Sequence, residues 1–178
     1  MNVVFAVDGS YKMGFMNYDR IVNFVFNVSS NFDVSNNKTW IITVVGNETA
    51  VYKTREELDN SPTISFPDSP QVLLGQTLEL AMQRLSESDT QRNASNVVVL
   101  IAAHISEDDI GIPTVNLKTS NATLFVVGVG DQFSFGQLKE IASNPDEQHF
   151  IEANDTIDLM KRFSTLLANK ICQGKCTI

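Results

Sequence analysis

Apolar residues along the chain fall into two kinds of run. Residues 3–7, 40–45, 97–102 and 124–129 are nearly continuous stretches rich in β-branched and aromatic side chains, the pattern of strands buried on both faces of a parallel sheet. Between them, apolar positions recur at helical spacing. Ile21, Phe24, Val25 and Val28 stand at i, i+3, i+4 and i+7, and Leu74, Leu78, Ala81, Met82 and Leu85 form a second stripe, each predicting an amphipathic helix. Phe135, Leu138, Ile141 and Ala142 predict a shorter helix, and Met160, Phe163, Leu167 and Ile171 a last one. Strands alternating with helices imply right-handed crossovers and a doubly wound α/β domain with helices on both faces of a mostly parallel sheet. One segment departs from this alternation. Gly46-Asn47-Glu48 separates the run 40–45 from residues 49–52, which predicts a hairpin whose second strand is an antiparallel edge. Residues 59–70, rich in Ser, Pro and Asp, read as a surface excursion.

With 178 residues, the chain has the length of one ordinary domain, so residues 1–178 are read as a single unit. Hydrophobic residues make up 43% and charged residues 19%, a globular balance, and no apolar run approaches the roughly 20 residues that cross a bilayer. A net charge of −8 argues against DNA, RNA and anionic membranes, because those partners are bound through basic residues. Met1 stands directly before a strand-like run, as expected of a domain excised from a larger multidomain chain.

In an open α/β sheet, ligands bind beyond the carboxyl ends of the strands. The first strand is followed by Asp8-Gly9-Ser10-Tyr11-Lys12-Met13-Gly14. Gly9 and Gly14 have the spacing of a phosphate loop, but Phe15-Met16 stands where the Lys-Ser/Thr pair belongs. No G-x-S-x-G elbow surrounds a serine, and His104 and His149 have no evident nucleophile partner, so both are read as surface or cap residues. Zinc would require several His or Cys ligands at short spacing; only Cys172 and Cys176 lie close together. No enzymatic chemistry has a foothold, although a small hydrolase or phosphotransferase on this sheet remains a third reading.

Residues 3–10, Val-Val-Phe-Ala-Val-Asp-Gly-Ser, resemble the opening strand and D-x-S-x-S loop of the von Willebrand factor A family. Further likenesses follow in order. Gly75-Gln76-Thr77-Leu78 is similar to the family's T-G-x-A-L helix start, and residues 98–103 with Ser106-Glu107-Asp108-Asp109 to its v-v-l-T-D-G-x-S-x-D-D segment. Residues 125–131, Leu138 to Ala142, Asn144-Pro145 and Ile171-Cys172 complete a resemblance that covers essentially the whole chain, with the flavour of matrilin and collagen VI A domains. It implies a non-enzymatic adhesion or matrix-assembly module, secreted or on an ectodomain, binding matrix proteins such as collagen or copies of itself.

The family's metal-ion-dependent adhesion site holds Mg²⁺ or Mn²⁺ through oxygens of two Asp, two Ser and a Thr, donors suited to a hard cation. Asp8 and Ser10 match the first two positions. Lys12 replaces the second Ser, Val72 aligns with the Thr and Ala103 with the second Asp, so the resemblance implies a dismantled site and no cofactor, with Mg²⁺ only if Asp8 and Ser10 still suffice. Thr77 competes with Val72 only if the register slips. An ammonium at Lys12 would repel the cation and could pair with Asp8; the alternative is a solvated lysine. A metal-dependent receptor domain using Asp8 and Ser10 is the second reading. Ser106 to Asp109 before Ile110 reads as a capping box for the helix that follows rather than as replacement ligands. Phe133, Phe135 and Phe150 read as core rather than as a partner hot spot.

Six N-x-[ST] sequons, at Asn27, Asn37, Asn47, Asn93, Asn121 and Asn154, favour secretion, with Asn93 and Asn121 in polar loops before strands as the leading glycan carriers. Cys172 and Cys176 flank Gly174, which would let them close a small disulfide ring, unless either bridges another segment of a longer parent.

Overall fold

A computed structural model describes residues 1–60, 64–89 and 94–172. Six strands, β1 (Asn2–Val7), β2 (Trp40–Val45), β3 (Glu48–Tyr52), β4 (Asn96–His104), β5 (Thr123–Gln132) and β6 (Phe150–Ala153), form one sheet in the order β3-β2-β1-β4-β5-β6. Every pairing is parallel except β2 with β3, so the expected edge hairpin is present. Its turn has a positive φ at Gly46 alone; glycine at that first central position is the mark of a II′ turn.

The continuous apolar runs are explained by a sheet with two covered faces. Along β1, Val3, Phe5 and Val7 pack on one side, and Val4 and Ala6 on the other, as the two-residue period requires. The first side is covered by α1 (Phe15–Ser29), α7 (Thr156–Arg162) and α8 (Ser164–Cys172), through Ile21, Phe24, Leu159 and Leu167. The second is covered by α3 (Leu74–Asp89), α4 (Gly111–Thr119) and α5 (Phe135–Ile141), through Leu78, Ala81, Leu117 and Leu138. Two short helices complete the described secondary structure, α2 (Arg55–Asp59) and α6 (Asp146–His149), with a 3-10 turn at Tyr11–Met13. α2 begins with a capping box at Thr54 and Glu57, which satisfies amide groups that so short a helix cannot pair itself.

Three expectations are corrected. The last apolar stripe is two helices, broken at Phe163: Asp155 caps the start of the first by accepting from the Asp158 amide, and each half still buries a leucine. Residues 64–68 do not stand off the surface: Phe66 packs edge-on to Phe15 and Tyr18, with ring centroids 5.8 and 5.4 Å apart. The Tyr18 hydroxyl donates to the Ile64 and Ser65 carbonyls, and burial pushes its pKa upward. His149 is not a surface residue; it is 4% exposed, with Nδ1 2.9 Å from the Pro145 carbonyl and its ring against Phe125. The strand β6 has four residues, too short an apolar run to have stood out.

The order of the strands fixes where a site can lie. From β1 the chain winds outward to β2 and β3, then returns to β4 on β1's other side and continues to β5 and β6. The direction of winding therefore reverses between β1 and β4, and the crevice of such a sheet opens at their carboxyl ends. Phe66→Ala should loosen the anchored segment without unfolding the sheet. The expected result is faster proteolytic cleavage within residues 64–68 and an unchanged far-UV circular dichroism spectrum.

Candidate functional site at the carboxyl ends of β1 and β4

Asp8 follows β1 and is wholly buried. One oxygen, Oδ1, accepts from the Ser10 amide at 2.9 Å, and the other, Oδ2, lies 3.1 Å from Nδ1 of His104, the last residue of β4. With Asp8 Oδ2 as the acceptor, Nδ1 is the donor of this bond. His104, expected as a surface or cap histidine, is thus the side chain that joins the two strands at the switch point. Ser10 is also wholly buried, and its hydroxyl has no hydrogen-bond partner among the described residues. Gly9 sits against the β2–β3 turn so closely that a Cβ there would fall 2.4 Å from the Gly46 Cα.

Lys12 does not pair with Asp8. Its ammonium lies 2.6 Å from Oε1 of Glu107; Asp8 is wholly buried, whereas the half-exposed Glu107 lets the lysine keep part of its hydration. The same Glu107 oxygen accepts from the Val72 amide at 3.1 Å, and the Glu107 amide donates to the Val72 carbonyl at 2.7 Å. The Lys12 hydrogen bond, with that from the Val72 amide, holds the Glu107 carboxyl below its usual range. One carboxylate therefore ties together the loop after β1, the entry to α3 and the loop after β4.

Ser106 to Asp109 cap helices, but not as the sequence pattern implied. The Ser106 hydroxyl accepts from the Leu74 amide at 3.0 Å and donates to Asp108 at 2.6 Å. The Asp108 carboxylate accepts from Gly75 and Gln76, at 3.0 and 2.8 Å. These are the first-turn amides of α3, which have no partner within their own helix, and a negative charge at that end also suits the helix dipole. Asp109 alone caps α4, accepting from Gly111 and Ile112. For Ser106 and Asp108 the expected box is thus replaced by a cap on a helix whose first turn lies 32–33 residues earlier in the chain. Gly75 makes the approach possible, because a Cβ there would meet the Asp109 carbonyl oxygen at 2.0 Å.

The remaining aligned positions offer no oxygen. Val72 packs in the apolar cluster beneath α3 and Ala103 against the cluster on the opposite face. Thr77 lies inside α3, donating to the Leu73 carbonyl. Among the described residues no group of three His, Cys, Asp or Glu side chains could hold a metal ion together. Phe133 and Phe150 pack against the second core cluster, whereas Phe135 is half-exposed with its ring edge-on to Phe150. The sequon asparagines Asn27, Asn37, Asn47, Asn121 and Asn154 are exposed; Asn93 and Cys176 lie outside the described residues, and Cys172 closes α8.

The family model of the von Willebrand factor type A domain matches residues 2–164. The chain is 23% identical over 179 residues to human collagen alpha-1(XXI) chain, covering 97% of this chain and 18% of that protein. It is 25% identical over 187 residues to mouse vitrin, covering 99% and 27%. Among solved structures, proximal thread matrix protein 1 from the mussel byssus, with a zinc-occupied MIDAS motif, superposes with a TM-score of 0.77 at 17% identity, covering 96% of this chain and 47% of that one. The chain therefore spans about a fifth to a quarter of the curated relatives named here.

Two outcomes test this geometry. His104→Ala should cost about 1–3 kcal/mol in denaturant unfolding, the penalty for stranding a buried acceptor. Since the folded-state pKa of Glu107 is lowered, the stability it contributes is present above its ordinary value and is lost as pH falls through the lowered one. Glu107→Gln should therefore weaken the fall in stability measured on acidification below about pH 4.

Proposed function

Because the chain belongs to the von Willebrand factor type A family, we propose that it is an extracellular, non-enzymatic adhesion or matrix-assembly module that engages its partners without a divalent cation. Its similarity along nearly the whole chain to segments of collagen and vitrin chains supports the matrix role. Collagen-type matrix proteins or a second copy of the domain are the partners this reading implies.

The observation that carries metal independence is the set of direct ties among the three loops. A cation bound at such loops would draw them together through shared oxygens. Here Glu107 bridges Lys12 and Val72, and His104 engages Asp8. The donors also fit a cation poorly. Asp8 and Ser10 supply oxygen, while a magnesium ion demands near-octahedral oxygen coordination and dehydrates reluctantly. The positive charge of Lys12 adds repulsion.

One feature favours the second reading, a metal-dependent receptor domain. The buried, unpartnered Ser10 hydroxyl beside Asp8 is an acceptor that a cation would satisfy. Titration calorimetry with Mg²⁺ and Mn²⁺ separates the two. No binding heat at millimolar metal is expected, and chelator should leave both the melting temperature and adhesion to immobilised collagen unchanged. The combined change Lys12→Ser, Val72→Thr and Ala103→Asp should introduce measurable cation binding. Adhesion that chelator abolishes in the unaltered chain would instead establish the receptor reading.

A further inference from the structure

The five sequons within the described residues divide between the two poles of the fold. Asn27 lies in the last turn of α1, Asn37 in the connection from α1 to β2, and Asn121 between α4 and β5, so all three sit at the pole where the parallel strands begin. Asn47 occupies the β2–β3 turn and Asn154 directly follows β6, placing one at each flank of the opposite pole. The loops that follow β1, β4 and β5 there, residues 8–14, 105–110 and 133–134, contain no sequon.

These asparagines differ from others in how their side chains are used. Asn2, Asn17, Asn23 and Asn31 donate their amide nitrogens to neighbouring acceptors. Asn27, Asn37, Asn47, Asn121 and Asn154 are all exposed, and none of their side-chain amides makes a hydrogen bond with the described residues. A glycan on any of them displaces no side-chain hydrogen bond among the described residues. Asn121 is further committed by its backbone: at φ 60° it terminates α4 in the left-handed conformation, with its amide donating to Lys118 and that of Ala122 to Leu117, the Schellman pattern in which asparagine is the usual substitute for glycine. Its side chain is thereby turned out at the end of the helix.

We propose that N-linked glycans on Asn37 and Asn121 sheath the pole at the amino ends of the strands, while glycans on Asn47 and Asn154 stand at the two flanks of the carboxyl-end face. Between those flanks lie four inter-strand spacings, about 19 Å at ~4.8 Å each. That window holds Asp8, Ser10, His104 and the Lys12–Glu107 pair. It also holds the half-exposed or exposed apolar side chains of Tyr11, Phe15, Met16 and Ile105. The glycans thus make the two poles unlike, one carbohydrate-covered and one bare protein between its flanks, and confine protein contacts to an opening somewhat under two α-helix diameters wide, side chains included.

This inference rests on the secretion implied by the proposed function, so the chain is tested after routing through the secretory pathway of cultured mammalian cells under a heterologous leader. Its outcome is then separate from the adhesion and chelation measurements. Enzymatic release of N-glycans in ¹⁸O-labelled water, followed by peptide mass spectrometry, should place label at Asn37, Asn47, Asn121 and Asn154. Amine acylation measured before and after release should rise at Lys38 and Lys118, beside the sheathed pole, and stay constant at Lys12 on the bare face. Absence of label at Asn37 and Asn121 would overturn the proposal, as would a rise at Lys12 equal to that at Lys38. Gln132→Asn, which completes a sequon with Phe133 and Ser134, supplies the positive control: its glycan should lower Lys12 acylation, and no change at Lys12 in the glycosylated variant would contradict the assigned window.

Discussion

A wholly buried carboxylate at the reversal point of the sheet is the constraint on which the surrounding loops depend. Asp8 reaches this position because β1 is a central strand with both faces covered, so the residue that ends it cannot escape to solvent. An unpaired charge there would be costly, and the chain answers with two donors from different places, the Ser10 amide and the His104 imidazole. Those bonds fold the β1 loop back on itself and fasten it to the end of β4. Around this centre, the Ser10 hydroxyl apart, the polar groups come in closed sets. Glu107 joins Lys12 to Val72, while Ser106 and Asp108 cap α3. The energetic weight is unequal: the buried Asp8 contacts count most, whereas an exposed ion pair such as Lys12–Glu107 acts mainly by fixing geometry.

The doubly wound sheet was legible because its signal is collective. Residues 3–7, 40–45, 97–102 and 124–129 need burial on two faces, and the helical stripes between them supply it. β6 escaped because four residues at a sheet edge carry little apolar patterning, and the break at Phe163 because both helices keep one apolar stripe. At the site, Asp8 and Ser10 could be read from a local motif. His104 and Glu107 could not, since their partners stand 96 and 95 residues away and nothing in the local sequence distinguishes a strand-end histidine from a solvated one. The nearest available signal was position: His104 directly follows the apolar run of β4, whose carboxyl end must face that of β1 if the winding reverses there. Ser106 to Asp109 show the same limit. Their composition announced a helix cap, but only the tertiary approach permitted by Gly75 decides which helix is capped.

These ties also give the domain's surface its polarity. The loops at the carboxyl ends of β1 and β4 are held by side chains directed inward or across to one another, leaving Tyr11, Phe15, Met16 and Ile105 outward. At the opposite pole, the exposed asparagines Asn27, Asn37 and Asn121 use their side-chain amides in no hydrogen bond among the described residues. A module of this kind can present one protein face in a fixed shape while the rest of its surface is free to carry other chemistry. Membership in the von Willebrand factor type A family fits that arrangement, since the crevice of a doubly wound sheet is where the fold concentrates loops from several strands.

The central claim is that protein groups alone hold the three loops together. Amide hydrogen exchange in chelator measures this directly, because the amides of Ser10, Val72, Leu74, Gly75 and Gln76 donate to the Asp8, Glu107, Ser106 and Asp108 side chains. First-turn helix amides without such acceptors exchange readily. The account requires all five to be protected in metal-free solution, with no further slowing when Mg²⁺ or Mn²⁺ is added. Fast exchange at these amides in chelator, slowed only by the cation, would contradict it.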